Sequence, residues 1–253
     1  MIQMPYGMIL CTGPTGSGKS TSLFAMLKEI NTPDTNIITL EDPVEYRMAH
    51  IRQVQLNHRA GMTFASGLRS ILRQDPDVIM IGEIRDTETA AVAVQAALTG
   101  HLVFSTVHTN DAAGAITRFV DMGVEPFMVA SVMLVTIAQR LVRRVCPHCK
   151  EPYTPDEDQI KFWGLKPKRY TFFRAKGCHQ CLDTGYKGRV GFFEILYVND
   201  NVRHMILEGR SAQEITRLTS RSGQLKSLKF DAVHKVVQGV TTSEEAMSAI
   251  LIR

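Results

Sequence analysis

Eight residues, Gly13-Pro14-Thr15-Gly16-Ser17-Gly18-Lys19-Ser20, match the pattern G-x-x-x-x-G-K-[ST] in full. Its chemistry is the capture of a nucleoside triphosphate. The glycines let successive backbone N–H groups turn toward phosphate oxygens, and the N-terminus of a following helix adds a positive dipole end. Lys19 is expected to reach the β- and γ-phosphates and Ser20 to hold Mg²⁺, with Thr21 closing the phosphate-binding stretch. The flanks suit this, since 7–12 reads as a buried strand and 20–27 opens a helix.

Cleaving a triphosphate also requires carboxylates that position Mg²⁺ and orient or deprotonate water. Two sets lie directly after apolar strands: Glu41-Asp42-Pro43-Val44-Glu45, and Gly82-Glu83. The second resembles a Walker B element in which glutamate replaces the usual aspartate. His101 and His108 flank the run Leu102-Val103-Phe104-Ser105-Thr106, where they could sense a γ-phosphate or bridge subunits through hydrogen bonds. A different chemistry is written in Cys146-x-x-Cys149 and Cys178-x-x-Cys181. Four thiolates in paired C-x-x-C spacing suit tetrahedral Zn²⁺ with no open position, a structural site, and His148 and His179 are only reserve ligands beside them. The fifth cysteine, Cys11, sits inside the first strand and reads as a small buried apolar residue.

These groups need a scaffold. Strands are expected at 7–12, 36–40, 77–81 and 102–106, and helices at 87–99, 111–122 and, as one long element, 126–142. Such alternation is an α/β fold with crossover helices, whose ligands collect at the carboxyl ends of the strands. Residues 146–181 interrupt the pattern. A strand at 189–196 is followed by helices, one opened by the capping box Ser211-Ala212-Gln213-Glu214 and the last by Thr242-Ser243-Glu244-Glu245. The expected division is a nucleotide-binding core at 1–145, a tetracysteine subdomain at 146–188, and a C-terminal strand and helical region at 189–253.

With 253 residues, 44% of them hydrophobic, the chain can bury a large core, which excludes disorder. A net charge of +4 is too small to argue a nucleic-acid groove, and no basic-aromatic interleaving suggests one. The one dense basic run, Arg140-Leu141-Val142-Arg143-Arg144, reads equally well as a solvated helix end or a polyanion contact. No stretch of 18 apolar residues and no signal-like N-terminus is present, so a cytoplasmic location is expected.

Taken together, Ile38-Thr39-Leu40-Glu41-Asp42-Pro43-Val44-Glu45-Tyr46, the run from Leu72-Arg73-Gln74-Asp75-Pro76-Asp77 to Gly82-Glu83-Ile84-Arg85-Asp86, and Thr99-Gly100-His101 through His108-Thr109-Asn110 resemble the Asp box, Walker B and His box of secretion ATPases. The cysteine pairs and Gly185-Tyr186-Lys187-Gly188-Arg189 narrow the resemblance to the assembly motors of type II secretion and type IV pili. It implies a RecA-like P-loop ATPase core using ATP, Mg²⁺ and Zn²⁺. It further implies a homo-hexamer working with platform proteins at the inner face of the bacterial inner membrane. By the same resemblance Glu41 would activate water, Glu83 would organise Mg²⁺ and the nucleophile, and His101 and His108 would be the His-box pair. Glu45 is a further acid of the set. Arg73, Arg85 and Arg140 would contact phosphate or a neighbouring subunit. N-terminal domains of the family fall outside these residues, so slow hydrolysis and a mainly monomeric state are expected of the isolated chain. The rival reading is a RecA-like nucleic-acid translocase. An ATP-binding-cassette subunit is disfavoured because no Leu-Ser-Gly-Gly-Gln stretch occurs.

Overall fold

In the computed structural model, which describes residues 1–166 and 168–251, the chain forms two compact units. The first comprises Met1–Ala138 and Ile195–Leu225, the second Gln139–Glu194 and Lys226–Arg253.

The first unit is built on parallel strands in the order β3 (Arg52–Gln55), β2 (Ile37–Glu41), β4 (Val78–Ile81), β5 (Leu102–Val107), β1 (Gly7–Thr12) and the opening residues of β6 (Met133–Val145). Strands β1, β2, β4 and β5 are buried along their whole length. Their continuous apolar runs are what a parallel sheet covered on both faces demands. Alternation sorts the side chains: Met8 and Leu10 enter one core with Phe119 and Ile116, while Ile9 and Cys11 enter another with Leu23, Phe24, Leu27 and Phe104.

Helices form where caps and apolar spacing agree. Helix α1 (Lys19–Ile30) buries Leu23, Phe24 and Leu27. After α2 (Phe64–Ile71), opened by a Thr63–Ser66 capping box, α3 (Thr87–Leu98) starts at Asp86, whose carboxylate accepts from Thr89 N at 2.8 Å. Helix α4 (Ala112–Asp121) starts likewise at Asp111, which accepts from Gly114 N at 2.7 Å.

The single helix expected over 126–142 is not formed. Pro126 opens a short helix, α5 (Pro126–Val132), and the chain then becomes strand β6. Val135, Thr136, Ile137, Val142 and Val145 are β-branched, and β1 would otherwise end the sheet on a buried edge. Pairing Ile9 with Val135 and Thr12 with Ala138 removes that edge. Apolar spacing alone could not separate the two outcomes, because both faces of this segment are buried.

The second unit also departs from the expected boundaries at 145/146 and 188/189. It joins the cysteine-bearing segment, with its two-stranded sheet of β7 (Lys150–Tyr153) and β8 (Phe172–Ala175) and helix α6 (Glu157–Trp163), to part of β9 (Tyr186–Tyr197). Between the segments of this unit, α7 (Asp200–Leu207) and α8 (Ala212–Arg221) belong to the first unit. The short β10 (Leu225–Lys226) leads back to α9 (Leu228–Val237) and α10 (Ser243–Leu251). Val142, Trp163, Phe172, Phe192, Ala232, Val236 and Ala246 share one core. The cysteine segment is too short to bury a core alone, so it borrows apolar surface from α9 and α10.

Polar contacts fix this arrangement: Trp163 Nε1 donates to Ser243 Oγ at 2.9 Å, and Arg143 pairs with Glu245 while lying 4.0 Å from the centre of the Tyr186 ring. The Arg143 hydrogen bond holds the Glu245 carboxyl below its ordinary value, against partial burial. A carboxyl with a lowered folded-state value contributes stability above its unfolded value and loses it as pH falls through the folded one. The second unit is therefore expected to lose part of its stability on acidification from just below pH 4.5. In Glu245→Gln that acid-dependent part should vanish, which thermal denaturation of the two proteins across pH 3–6 would measure.

Candidate functional site

Because β1, β2, β4 and β5 are parallel and in register, with Thr12 opposite Val107, Ile81 opposite Ser105 and Leu40 opposite Ile81, the segments that follow them emerge at one edge. That edge carries the phosphate-loop motif after β1, Glu41–Glu45 at the end of β2, Glu83 after β4 and His108 after β5.

The loop has the conformation its glycines permit. Gly13, Gly16 and Gly18 have φ of +141°, +77° and +87°, and a Cβ placed on Gly16 would meet nothing within 4 Å. Lys19 Nζ folds across the loop, donating to Gly13 O at 2.9 Å and Pro14 O at 3.2 Å. Ser17 N closes a turn onto Pro14 O at 3.2 Å. Helix α1 starts at Gly18 with no capping side chain and no acid in its first turn. A loop of backbone donors, an ammonium and an uncapped helix start form a cradle suited to a polyanion. Ser20 Oγ, at the start of α1, donates to Glu45 Oε1 at 3.3 Å. A hydroxyl beside a carboxylate is a donor set suited to a hard divalent cation such as Mg²⁺.

The acids at this edge differ in their surroundings. Glu41 is only 3% exposed, and its Oε1 accepts from the hydroxyl of Thr39, two residues back on the same strand face, and from Gln53 Nε2 at 3.1 Å. Glu45, at the end of the following turn, is the acid of that segment that reaches the phosphate loop. Tyr46 beside it packs on Phe24 of α1, with ring centroids 4.4 Å apart. Glu83 is fixed from both sides. Gly82 N donates to Leu40 O at 2.8 Å, and Thr106 Oγ1 donates to Gly82 O at 2.7 Å. Its carboxylate oxygen Oε2 is shared by Arg85 Nε at 2.6 Å and His108 Nε2 at 3.2 Å.

His101 is not part of this group. Gly7 N donates to His101 O at 3.1 Å, and the imidazole bonds Ala96 O at 2.8 Å, so His101 lies at the amino end of β5. At about 3.3 Å per residue, β5 separates it from His108 by roughly 20 Å. Arg73 also lies toward the amino edge, in the turn Leu72–Gln74 that leads into β4. Arg140 is a buried residue of β6 within the second unit. Two residues to which sequence reading gave no role of their own also lie at the edge, Thr12 and Thr109, whose hydroxyls meet at 2.8 Å. Their separation of 97 positions leaves no local signal.

In the second unit Cys146, Cys149, Cys178 and Cys181 bring their sulfurs within 4.8 Å of one another, and Cys181 Sγ is 3.8 Å from both Cys149 Sγ and Cys178 Sγ. Tetrahedral Zn²⁺ at about 2.3 Å from each sulfur requires sulfurs about 3.8 Å apart, so the four residues fit this metal. The surrounding backbone already favours a thiolate. Burial pushes the Cys181 thiol up, but the N–H groups of Cys178 and Gly185, donating at 3.3 and 3.2 Å, together with the neighbouring Cys178 and Cys149 thiols, more than offset this and hold it at about 7. Gly185 cannot be replaced easily here: its φ is +75°, and a Cβ would stand 2.6 Å from that of Ala175.

The model of a family described as type II/IV secretion system protein matches residues 1–248. The type IV pilus assembly ATPase PilB of Thermus thermophilus is 52% identical over 251 residues, 98% of this chain and 28% of that protein. The type II secretion system protein E of Pseudomonas aeruginosa is 53% identical over 247 residues, 97% of this chain and 49% of that one. The chain thus spans about half the length of these curated relatives, or less. Among solved structures, that of the pilus retraction motor PilT with bound ADP superposes with a TM-score of 0.73 at 32% identity, covering 98% of this chain and 62% of that one.

Cys11 stands apart from the other thiols. It is fully buried in β1, and burial pushes its thiol up to about 12 against the pull of Lys19. Since only the thiolate reacts, Cys11 should resist Ellman's reagent in the folded protein at pH 8 and titrate only after denaturation. Thiol counting on the unaltered protein and on Cys11→Ala would show it: the two native counts should agree, and the denatured counts should differ by one.

Proposed function

This chain belongs to the type II/IV secretion system protein family, and from that premise we propose that it is the ATPase core of a motor that hydrolyses ATP to drive pilin or pseudopilin assembly, in type IV pilus biogenesis or type II protein secretion. The observation that carries the reading is the convergence, at the carboxyl edge of one parallel sheet, of an intact phosphate loop, a Ser20–Glu45 contact and the shared Glu83 carboxylate.

In this reading the backbone N–H groups of residues 13–18 and the start of α1 hold the α- and β-phosphates, Lys19 neutralises charge on the β- and γ-phosphates, and Ser20 and Thr21 complete the cradle. Mg²⁺, held through Ser20, would supply electrostatic stabilisation of the charge that develops on the transferring phosphoryl group. Glu83, oriented by Arg85 and His108, and Glu45, beside Ser20, are the acids suited to orient water and take its proton. Glu41 is assigned a supporting role instead, bracing the end of β2 through Thr39 and Gln53. The four cysteines would hold a structural Zn²⁺ that pins the second unit.

Relatives named for pilus assembly and type II secretion support a place in such a machine; the form proposed for it, as the sequence resemblance implies, is a homo-hexamer acting with inner-membrane platform proteins at the cytoplasmic face. No helix among the described residues is long and apolar enough to cross a membrane.

Two variants test the site. Lys19→Ala should weaken ATP·Mg²⁺ binding by about tenfold or more, because it removes a charge from the β- and γ-phosphates. Glu83→Gln should leave binding within about twofold while lowering turnover by roughly 10²- to 10⁴-fold, the range of a lost general base. Calorimetry and a phosphate-release assay read the two effects separately, and undiminished affinity in Lys19→Ala would remove the loop from the mechanism. For the metal, elemental analysis of protein purified without chelator should give one Zn²⁺ per chain, and Cys178→Ser should lower that stoichiometry. Absence of stoichiometric zinc in the unaltered protein would refute the assignment.

A further inference from the structure

At the carboxyl edge of the sheet the base of the phosphate loop and the segment bearing His108 are joined through one hydroxyl. Thr12 is the last residue of β1 and immediately precedes Gly13; it is fully buried. Its Oγ1 donates to Thr109 O at 2.7 Å and accepts from Thr109 N at 2.8 Å, and it also lies 2.8 Å from Thr109 Oγ1. A hydroxyl offers one donor and two acceptor sites, and on Thr12 the proton serves Thr109 O while one acceptor site takes the Thr109 N–H. Thr109 Oγ1 in turn lies 3.1 Å from Asp111 O, at the cap of α4. The next residue back from Thr109 is His108, whose Nε2 meets Glu83 Oε2. A continuous set of contacts therefore runs from the phosphate loop through Thr12, Thr109 and His108 to Glu83, with Arg85 on the same carboxylate oxygen.

We propose that Thr12 and Thr109 are positioning residues for hydrolysis: their hydroxyl-to-backbone staple sets the 108–110 segment against the phosphate loop, so that His108 holds the Glu83 carboxylate at the reacting phosphate. The proposal rests on the ATPase reading above. The physical ground is that the β1–β5 ladder ends at the pair Thr12–Val107. The β1–β5 register runs no further than that pair, and His108 just beyond it is exposed. The staple takes over where the ladder stops, and it does so with a side chain adjoining the loop that would grip the nucleotide. A methyl group in place of the hydroxyl keeps the volume and the β-branched strand geometry but removes both the donor and the acceptor for Thr109.

The test is a double-mutant cycle on the protein, with ATP affinity and single-turnover hydrolysis measured in parallel. Thr12→Val should retain ATP affinity within about twofold yet slow hydrolysis by roughly 10- to 100-fold, the scale of a small misplacement at a reacting centre. Thr12→Ser, which keeps the hydroxyl, should return to near wild-type rates. In a His108→Ala background Thr12→Val should cost less than about twofold, because the group it positions is gone. Unchanged hydrolysis in Thr12→Val would overturn the staple while leaving the ATPase reading intact. An equal loss with and without His108 would overturn it as well, marking Thr12 as a structural residue only. A wild-type protein that binds ATP but does not hydrolyse it, indistinguishable from Glu83→Gln, would remove the ATPase reading and this proposal with it.

Discussion

Everything at the candidate site depends on one constraint: four buried strands run parallel and end level. A parallel ladder in register leaves no freedom over where the next residue emerges, so Gly13, Glu83 and His108 are delivered to one edge by the hydrogen bonds of β1, β4 and β5. That geometry is maintained by continuous apolar burial on both faces, and the covering helices are capped where they start, at Asp86 and Asp111. The polar contacts at the edge refine positions already set to within a residue by the sheet. This is why a carboxylate such as Glu83 can be fixed so tightly while remaining one-fifth exposed.

The same constraint explains which sequence expectations match the coordinates. Strands β1, β2, β4 and β5 and helices α3 and α4 were legible because apolar runs, caps and crossover spacing all agreed. The phosphate loop was legible because its glycines and lysine do local work. The single helix expected over 126–142 is not formed because its β6 part, buried on both faces to Val142, carries no period, and the strand outcome follows from the open edge of β1, more than a hundred positions away. The resemblance puts Glu41 ahead of Glu45, and the differing surroundings of the two, Thr39 and Gln53 around one and Ser20 beside the other, are set by residues far apart in the chain and leave no local sequence signal. His101 and His108 share a motif but not an edge: period and rise along β5 set them apart. Thr12 and Thr109 were invisible because nothing in a chain marks a contact between such distant hydroxyls.

The second unit follows a different logic. Its cysteine segment lacks enough apolar residues for a core and instead concentrates sulfur at one point and aromatic surface at another. Phe172 and Trp163 meet Ala232, Val236 and Ala246 from helices that arrive some sixty residues later. The Arg143–Glu245 pair and the Trp163–Ser243 hydrogen bond lock those late helices to the early segment. The cluster of four sulfurs and the shared core thus sit at two separate points of a segment too short to bury a core by itself.

The interleaving of the two units has a consequence for the order in which the molecule can be made. Leu196, Val198, Val202, Ile206, Ile215 and Leu225 belong to the same core as Met8, Leu10 and Phe119, yet residues 139–194 separate them from the rest of the first unit. A chain emerging at about 5–20 residues per second therefore waits roughly 3–11 s with that core face uncovered before its missing portion appears. During that interval the nascent sheet presents apolar surface to its surroundings, as late-closing topologies of high contact order do. That interval of exposure is set by the length of the intervening segment, and a contiguous arrangement of the same strands and helices would not impose it.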